Sequence, residues 1–380
     1  MRRTLAAAAL TGAGAASLRL MTSPRRASGP SGARGSPPPP LIDWTSVRRT
    51  AVQRSGERTR LRRATAARLG STYTEYAAEL APLMAEICGD VAGPPPAFAA
   101  LDRHAFIDAN LVIVRRLIDP IEALRTQVPE SILTALGRRV TSRYVGELMG
   151  MMSRRVLGQF DPVLMLPGAH GEERPPTGLW LVEPNVELFG RGHGLPAAPL
   201  RRWLILHEAT HAWQFGAHPW LGEHLSELAG GLVVAGLAEQ LSRPGRTLRD
   251  PETLRALGGS LRDQLHAVGR LQATMSVIEG YSNFVMHRVG RRHVPEAADL
   301  EAAFEERQRE RTLLERLVLA LSGIAVKLRQ YQAGESFCAA VADRGGVALL
   351  NRVWEGPEAM PTMAELRAPA RWVERVERRS

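Results

Sequence analysis

The segment Leu204–Phe215, LILHEATHAWQF, limits what this chain can fold into more than any other. It lacks glycine and proline, and its apolar residues recur every three or four positions, which predicts a helix over 198–217. Residues that far apart share a helix face. Trp203, Leu206, Thr210 and Trp213 therefore form one ridge, and Ile205, Ala209 and Ala212 another. A helix apolar on two flanks is covered by its neighbours. Yet His207, Glu208 and His211 lie between those ridges. Burying such a trio without partners would cost several kcal/mol.

A divalent cation resolves the conflict. His207 and His211, four apart, project together, and Glu208 on the next stripe can reach whatever they hold. The pattern H-E-x-x-H places two neutral imidazoles at one edge of a zinc tetrahedron and a general base beside it. The competing reading is a pair of core histidines satisfied by backbone carbonyls.

A catalytic zinc needs a third protein ligand and one open position. A third histidine would require Gly at 214 and His at 217, but the chain has Gln214 and Ala217. His218 falls one place late, before Pro219, where the helix should end. Glu223, Glu227 and Glu239 follow in ordinary amphipathic surroundings that suit a solvated face. Glu279 is different: Met275, Val277, Ile278, Val285 and Met286 surround it, so its carboxylate needs a cation, hydrogen bonds or an arginine. Gly280 beside it lets a second helix approach closely. The expected metal ligands are His207, His211 and Glu279, the expected cofactor is Zn2+, and the expected base is Glu208.

The remaining pattern is mostly helical. STYTEYAAELAPLMAEICGD predicts a helix with Ser71 as N-cap, ending near Gly89. DRHAFIDANLVIVRRLIDPIEAL predicts another, broken before Pro120. VGELMGMMSRRVLGQF reads as a helix whose methionines fill core. Further helices are expected over 220–243, 250–290 and 297–330. Strand character is confined to 178–189, GLWLVEPNVELF, and Pro184 within it predicts an edge strand or a bulge. The expected fold class is mainly α with a small β-sheet (α+β). One domain is expected over 41–380, with a helical insert between 219 and 268. Residues 1–40, rich in Pro, Gly and Arg, offer too little to pack and are expected to form a disordered tail or to follow a misplaced start, a weak export signal being the alternative.

Composition excludes several classes. The chain has 49 Lys+Arg against 39 Asp+Glu, a net charge of +10, but its arginines are scattered and aromatics are only 5%. No nucleic acid partner is expected from that pattern. No segment is long and apolar enough for a membrane span. Cys88 and Cys338 have no partner at metal-site spacing and read as small buried hydrophobes, which suits a cytoplasmic, reducing compartment.

LHEATHAWQFGAHPWL, followed far downstream by SVIEGYSNFVM, resembles the actinobacterial zincin-like metallopeptidase family. LIDW near 41, LVEPN before the motif helix and PTMAELRAPARWVERV near the C-terminus carry the same resemblance, which covers roughly 41–375. Members are often labelled hydrolases or proteins associated with biosynthesis of the deazaflavin coenzyme, a label that rests on genomic association. The resemblance implies a zincin-like fold and a metal site at His207, His211 and Glu279, with Glu208 as base. It implies no particular substrate. One position departs from better-known zincins, where an acidic residue four places after the glutamate ligand orients a zinc histidine. Here that place is taken by Asn283, whose amide oxygen can accept from an imidazole without the charge.

These residues together predict a zinc-dependent metallopeptidase acting on a peptide or protein substrate. An extended peptide is expected to pair with an edge at 179–187. Tyr281 and His287, which flank Glu279, are the candidates for a second oxyanion donor. The alternative is a catalytically degenerate zincin, a zinc-stabilised binding or assembly module.

Overall fold

The computed structural model describes residues 40–56, 60–89, 97–123, 132–161, 178–228, 251–309 and 324–379. In chain order the elements are α1 (Trp44–Ser55), α2 (Arg63–Cys88), β1 (Phe98–Leu101), α3 (Arg103–Ala123), α4 (Ile132–Ser153), β2 (Gly158–Phe160), β3 (Leu179–Val182), α5 (Glu183–Gly192) and α6 (Ala197–Ala217). A helix over 220–228, α7, follows. Then come α8 (Pro251–His293), α9 (Ala297–Arg309), α10 (Ile324–Asn351), a 3-10 turn at Arg352–Trp354, α11 (Met363–Arg367) and α12 (Pro369–Glu377). Among the described residues the fold is mainly α with one small sheet.

That sheet has the order β1-β3-β2. β3 runs parallel to β1, with Phe98 opposite Leu179, and antiparallel to β2, with Gly158 opposite Leu181. All four residues of β3, LWLV, are buried, as an unbroken apolar run in a central strand requires. Alternate side chains serve two cores. Leu179 and Leu181 enter the main core with α2, α6 and α8, whereas Trp180 and Val182 pack with Phe106 and Ile113 of α3.

The expected edge strand at 179–187 is therefore corrected. β3 stops at Val182, and Pro184 falls in the first turn of α5, where its missing N–H has no partner to lose. The sheet edges are β1 and β2. Two helix boundaries also differ from expectation. α2 begins at Arg63, so Ser71 is interior to it, and its hydroxyl donates to the Ala67 carbonyl instead of capping. α3 runs through Pro120 to Ala123, the proline removing one ladder bond without ending the helix. VGELMGMMSRRVLGQF divides: its helix ends at Ser153 and Gly158–Phe160 becomes β2. α2 does end at Cys88 with Gly89 as its cap, and Met149 of the methionine-rich face is core.

The residues linking sheet and helices are specific. Glu183 is buried, accepting from the Tyr73 hydroxyl and the Arg201 guanidinium, which ties α5 to α2 and α6. Asn185 donates to the carbonyls of Ser153 (2.8 Å) and Val156 (2.6 Å) and accepts from Arg103 (2.7 Å). It thereby pins the turn that leads into β2 and sets that strand against α6. Near the C-terminus, Thr362 and Glu365 form a capping box, and Arg375 pairs with Glu365 at 2.6 Å.

α8 and α10 cross at glycines. A Cβ on Gly280 would fall inside the backbone at Gly334, and one on Gly334 inside the Ser276 carbonyl. The close approach expected at Gly280 is thus present.

Residues 1–39 of the expected tail, and 229–250 of the expected insert, lie outside the described residues. Among the described residues, no helix is long and apolar enough to cross a membrane. Both cysteines are buried and unbonded, and burial pushes the Cys88 thiol up to about 12.

Candidate metal centre

α6 is covered on most of its circumference: Trp203, Leu204, Ile205, Leu206, Ala209, Ala212 and Trp213 are all buried. This rigid surround presents His207 and His211 from successive turns, with ring centroids 4.8 Å apart and planes nearly perpendicular. Their Nε2 atoms lie 3.2 Å apart. Glu279 arrives from α8, its Oε2 3.7 Å from each Nε2. A tetrahedral ion with donors about 2.0–2.1 Å away separates those donors by about 3.3–3.5 Å. The observed triangle fits such an ion closely. Among the described residues, His207, His211 and Glu279 are the group that could hold one.

The electrostatics point the same way. Burial, reinforced by the neighbouring His211, takes His207 down to about 4. Burial also works to lower His211, but Glu279, aided by Glu208, outweighs it and lifts the ring to about 9. The carboxylates thus favour a positive charge among these donors, which in place of the His211 proton a divalent cation can supply. At pH 8 His207 is neutral and His211 protonated, so zinc binding is expected to release about one proton per ion. Apparent affinity should rise with pH up to about 9 and flatten beyond. Calorimetry in two buffers of different ionisation enthalpy measures this directly, and binding without proton release at pH 8 would contradict it.

Glu208 is buried beside the triangle, and burial raises its carboxyl to about 7. The Phe160 backbone N–H donates to it. A Cβ on Gly158 would come within 2.8 Å of its Oε1, so the glycine leaves room for the carboxyl to sit against β2. The Phe160 ring stacks on His211 at 6.4 Å and lies tilted against Phe215 at 5.3 Å, giving that side of the site an aromatic wall.

The other sequence candidates are not among the three donors. His218 caps α6 and stacks on Trp354, away from the triangle. Glu223 and Glu227 are exposed on α7, and Glu239 lies outside the described residues. Tyr281 is fully buried and donates to Asn351 at 2.7 Å, so it is no oxyanion donor. His287 holds Glu335 through Nδ1 at 2.6 Å and packs on Trp203, one turn before His207.

The histidine-orienting role expected at Asn283 is also corrected. His211 Nδ1 meets Gln214 Oε1 at 2.9 Å and Ser282 Oγ at 3.1 Å. Ser282, one residue earlier on α8, is the side chain turned toward α6. Gln214 could have been found from its place three residues after His211 on a submerged helix. For Ser282 no sequence signal existed.

Comparison with known proteins agrees with this geometry. The model of a zincin-like metallopeptidase family matches residues 42–373. A solved structure described as a proposed hydrolase with a novel fold, from Chloroflexus aurantiacus, is similar at 32% identity and a TM-score of 0.67, covering 89% of this chain and 99% of its own. No curated protein matches the chain.

Proposed function

As the chain belongs to the zincin-like metallopeptidase family, we propose that it is a zinc-dependent hydrolase of peptide or amide bonds. One observation carries this reading: three donors spaced for a tetrahedral ion stand beside a buried carboxyl that titrates near neutrality. His207, His211 and Glu279 hold the ion, and residues 41–380 form the metallohydrolase domain. Zinc bound there supplies a Lewis acid that polarises a carbonyl and lowers the pKa of water towards about 7. Glu208 takes the proton of the attacking water and later delivers it to the leaving amine. A carboxyl at about 7 is matched to both tasks at neutral pH.

β2 is the edge on which an extended substrate pairs. In an antiparallel ladder alternate residues face away from the partner strand. Asp161 N–H and Leu157 C=O bond toward β3, so the backbone groups of Gly158 and the Phe160 carbonyl face outward, while the Phe160 N–H is taken by Glu208. His287, held by Glu335, packed on Trp203 and close enough to His207 to act on it electrostatically, is the candidate donor for the developing oxyanion. The two unbonded thiols support a cytoplasmic setting.

Removing the metal tests the reading. Chelation is expected to lower cleavage of casein or a peptide library by at least about 100-fold, and one equivalent of zinc to restore it. Purified protein without transition metal, inactive both before and after zinc addition, would overturn it.

A further inference from the structure

His211 is the innermost of the three donors, and its second ring nitrogen is held in a way that determines its tautomer. Resting on the metal-site reading above, we propose that Gln214 and Ser282 form an uncharged clamp that keeps His211 protonated at Nδ1 and so presents its Nε2 lone pair to the ion.

The orientation of the Gln214 amide follows from its other partner. Gln214 is 0% exposed. One end of its amide lies 2.9 Å from the Ile278 carbonyl on α8, which can only accept, so that end is the nitrogen. The oxygen therefore faces His211 Nδ1 at 2.9 Å, and because an amide oxygen donates nothing, Nδ1 must carry the proton. Ser282 fits the same arrangement. Its Oγ is 3.1 Å from the Ile278 carbonyl and 3.1 Å from Nδ1. With Nδ1 protonated by the Gln214 argument, the Ser282 proton has the Ile278 carbonyl and, at 3.5 Å, Gln214 Oε1 as acceptors, and its lone pairs face the ring. Protonated Nδ1 leaves Nε2 as the only free donor, and Nε2 is the atom facing His207 and Glu279.

Two consequences follow. Gln214 and Ser282 converge on the carbonyl of Ile278, the residue before Glu279, so one turn of α8 sets both the third ligand and the tautomer of the second. The partners of Nδ1 are also neutral. A carboxylate in that place would make the imidazole a stronger donor and weaken the Lewis acidity of the ion. Gln214 and Ser282 are positioning residues: they act through His211.

The test compares zinc affinity in the wild type, Gln214→Met, Ser282→Ala, the double variant and Asn283→Ala. Gln214→Met keeps the volume and loses the acceptor. It is expected to weaken zinc binding about 10–100-fold, with Ser282→Ala smaller, the double variant largest and Asn283→Ala unchanged. In 15N-labelled, zinc-loaded wild type, the His211 proton should be coupled to Nδ1, a readout that needs no variant to fold. Zinc affinity unaltered in Gln214→Met and the double variant, or a ring protonated at Nε2, would overturn the clamp alone. A wild type that binds no zinc would overturn the metal-site reading and the clamp together.

Discussion

Glu208→Gln is expected to bind zinc as tightly as wild type, to turn over about 10²–10⁴-fold more slowly, and to be more stable without metal. The substitution preserves shape, and its amide oxygen can still accept from the Phe160 N–H. It cannot accept a proton, so the loss should fall on turnover and not on metal content. The stability gain follows from the environment of the carboxyl. Its folded value of about 7 lies above the ordinary 4.5 of an open chain. Between those values the folded state binds the proton more tightly, so the stability of metal-free protein falls as pH rises through that window and stays low above it. A neutral side chain removes the loss, a gain on the order of 1–3 kcal/mol at pH 8. Melting curves of metal-free protein and peptide cleavage by zinc-loaded protein measure the two effects. Full activity in Glu208→Gln would exclude Glu208 as the base. Lower metal-free stability at pH 8 would contradict the burial argument.

Gly280→Ala is expected to destabilise the protein by about 3–5 kcal/mol and to weaken the metal centre with it. The added methyl would overlap backbone at Gly334 and Glu335, and backbone cannot rotate away as a long side chain can. The helices must separate instead. That displaces Glu279, the preceding residue, from both imidazoles, and moves the Ile278 carbonyl away from Gln214. Gly269→Ala is the control, since on the same helix a Cβ there meets nothing within 4 Å. It should be neutral or stabilise by about 0.5–1 kcal/mol through helix propensity. Denaturant melts of the two variants, with zinc titrations, decide the matter. Equal stabilities would mean that α8 and α10 are not in contact at these glycines.

The metal triangle was readable because its residues conflict with their surroundings. Two imidazoles on a submerged helix and a carboxylate among Met275, Ile278 and Val285 each require a partner, and one cation could serve all three. The close approach at Gly280 was readable for a related reason, since a glycine in mid-helix needs an explanation beyond propensity. Where the sequence misled, a local rule had been applied without its tertiary context. Pro184 suggested an edge strand, but the strand ends one residue before helix α5 begins, and the proline belongs to that helix. Pro120 suggested a break that α3 does not make. β2 could not be recognised because three residues, Gly158–Phe160, are too few to show a period. Gln214 and Ser282 were not legible because a neutral polar side chain carries no demand for a partner until its burial is known.

The envelopment of α6 bears on how far the motif could be separated from the rest of the protein. A peptide spanning Ala197–Ala217 would bring both imidazoles into solution but neither the carboxyl from α8 nor the walls that hold the rings at right angles. Grafting the five-residue pattern onto an unrelated scaffold would meet the same obstacle. The donor triangle is a property of the assembled tertiary structure, and a minimal chelating fragment of this chain should not exist.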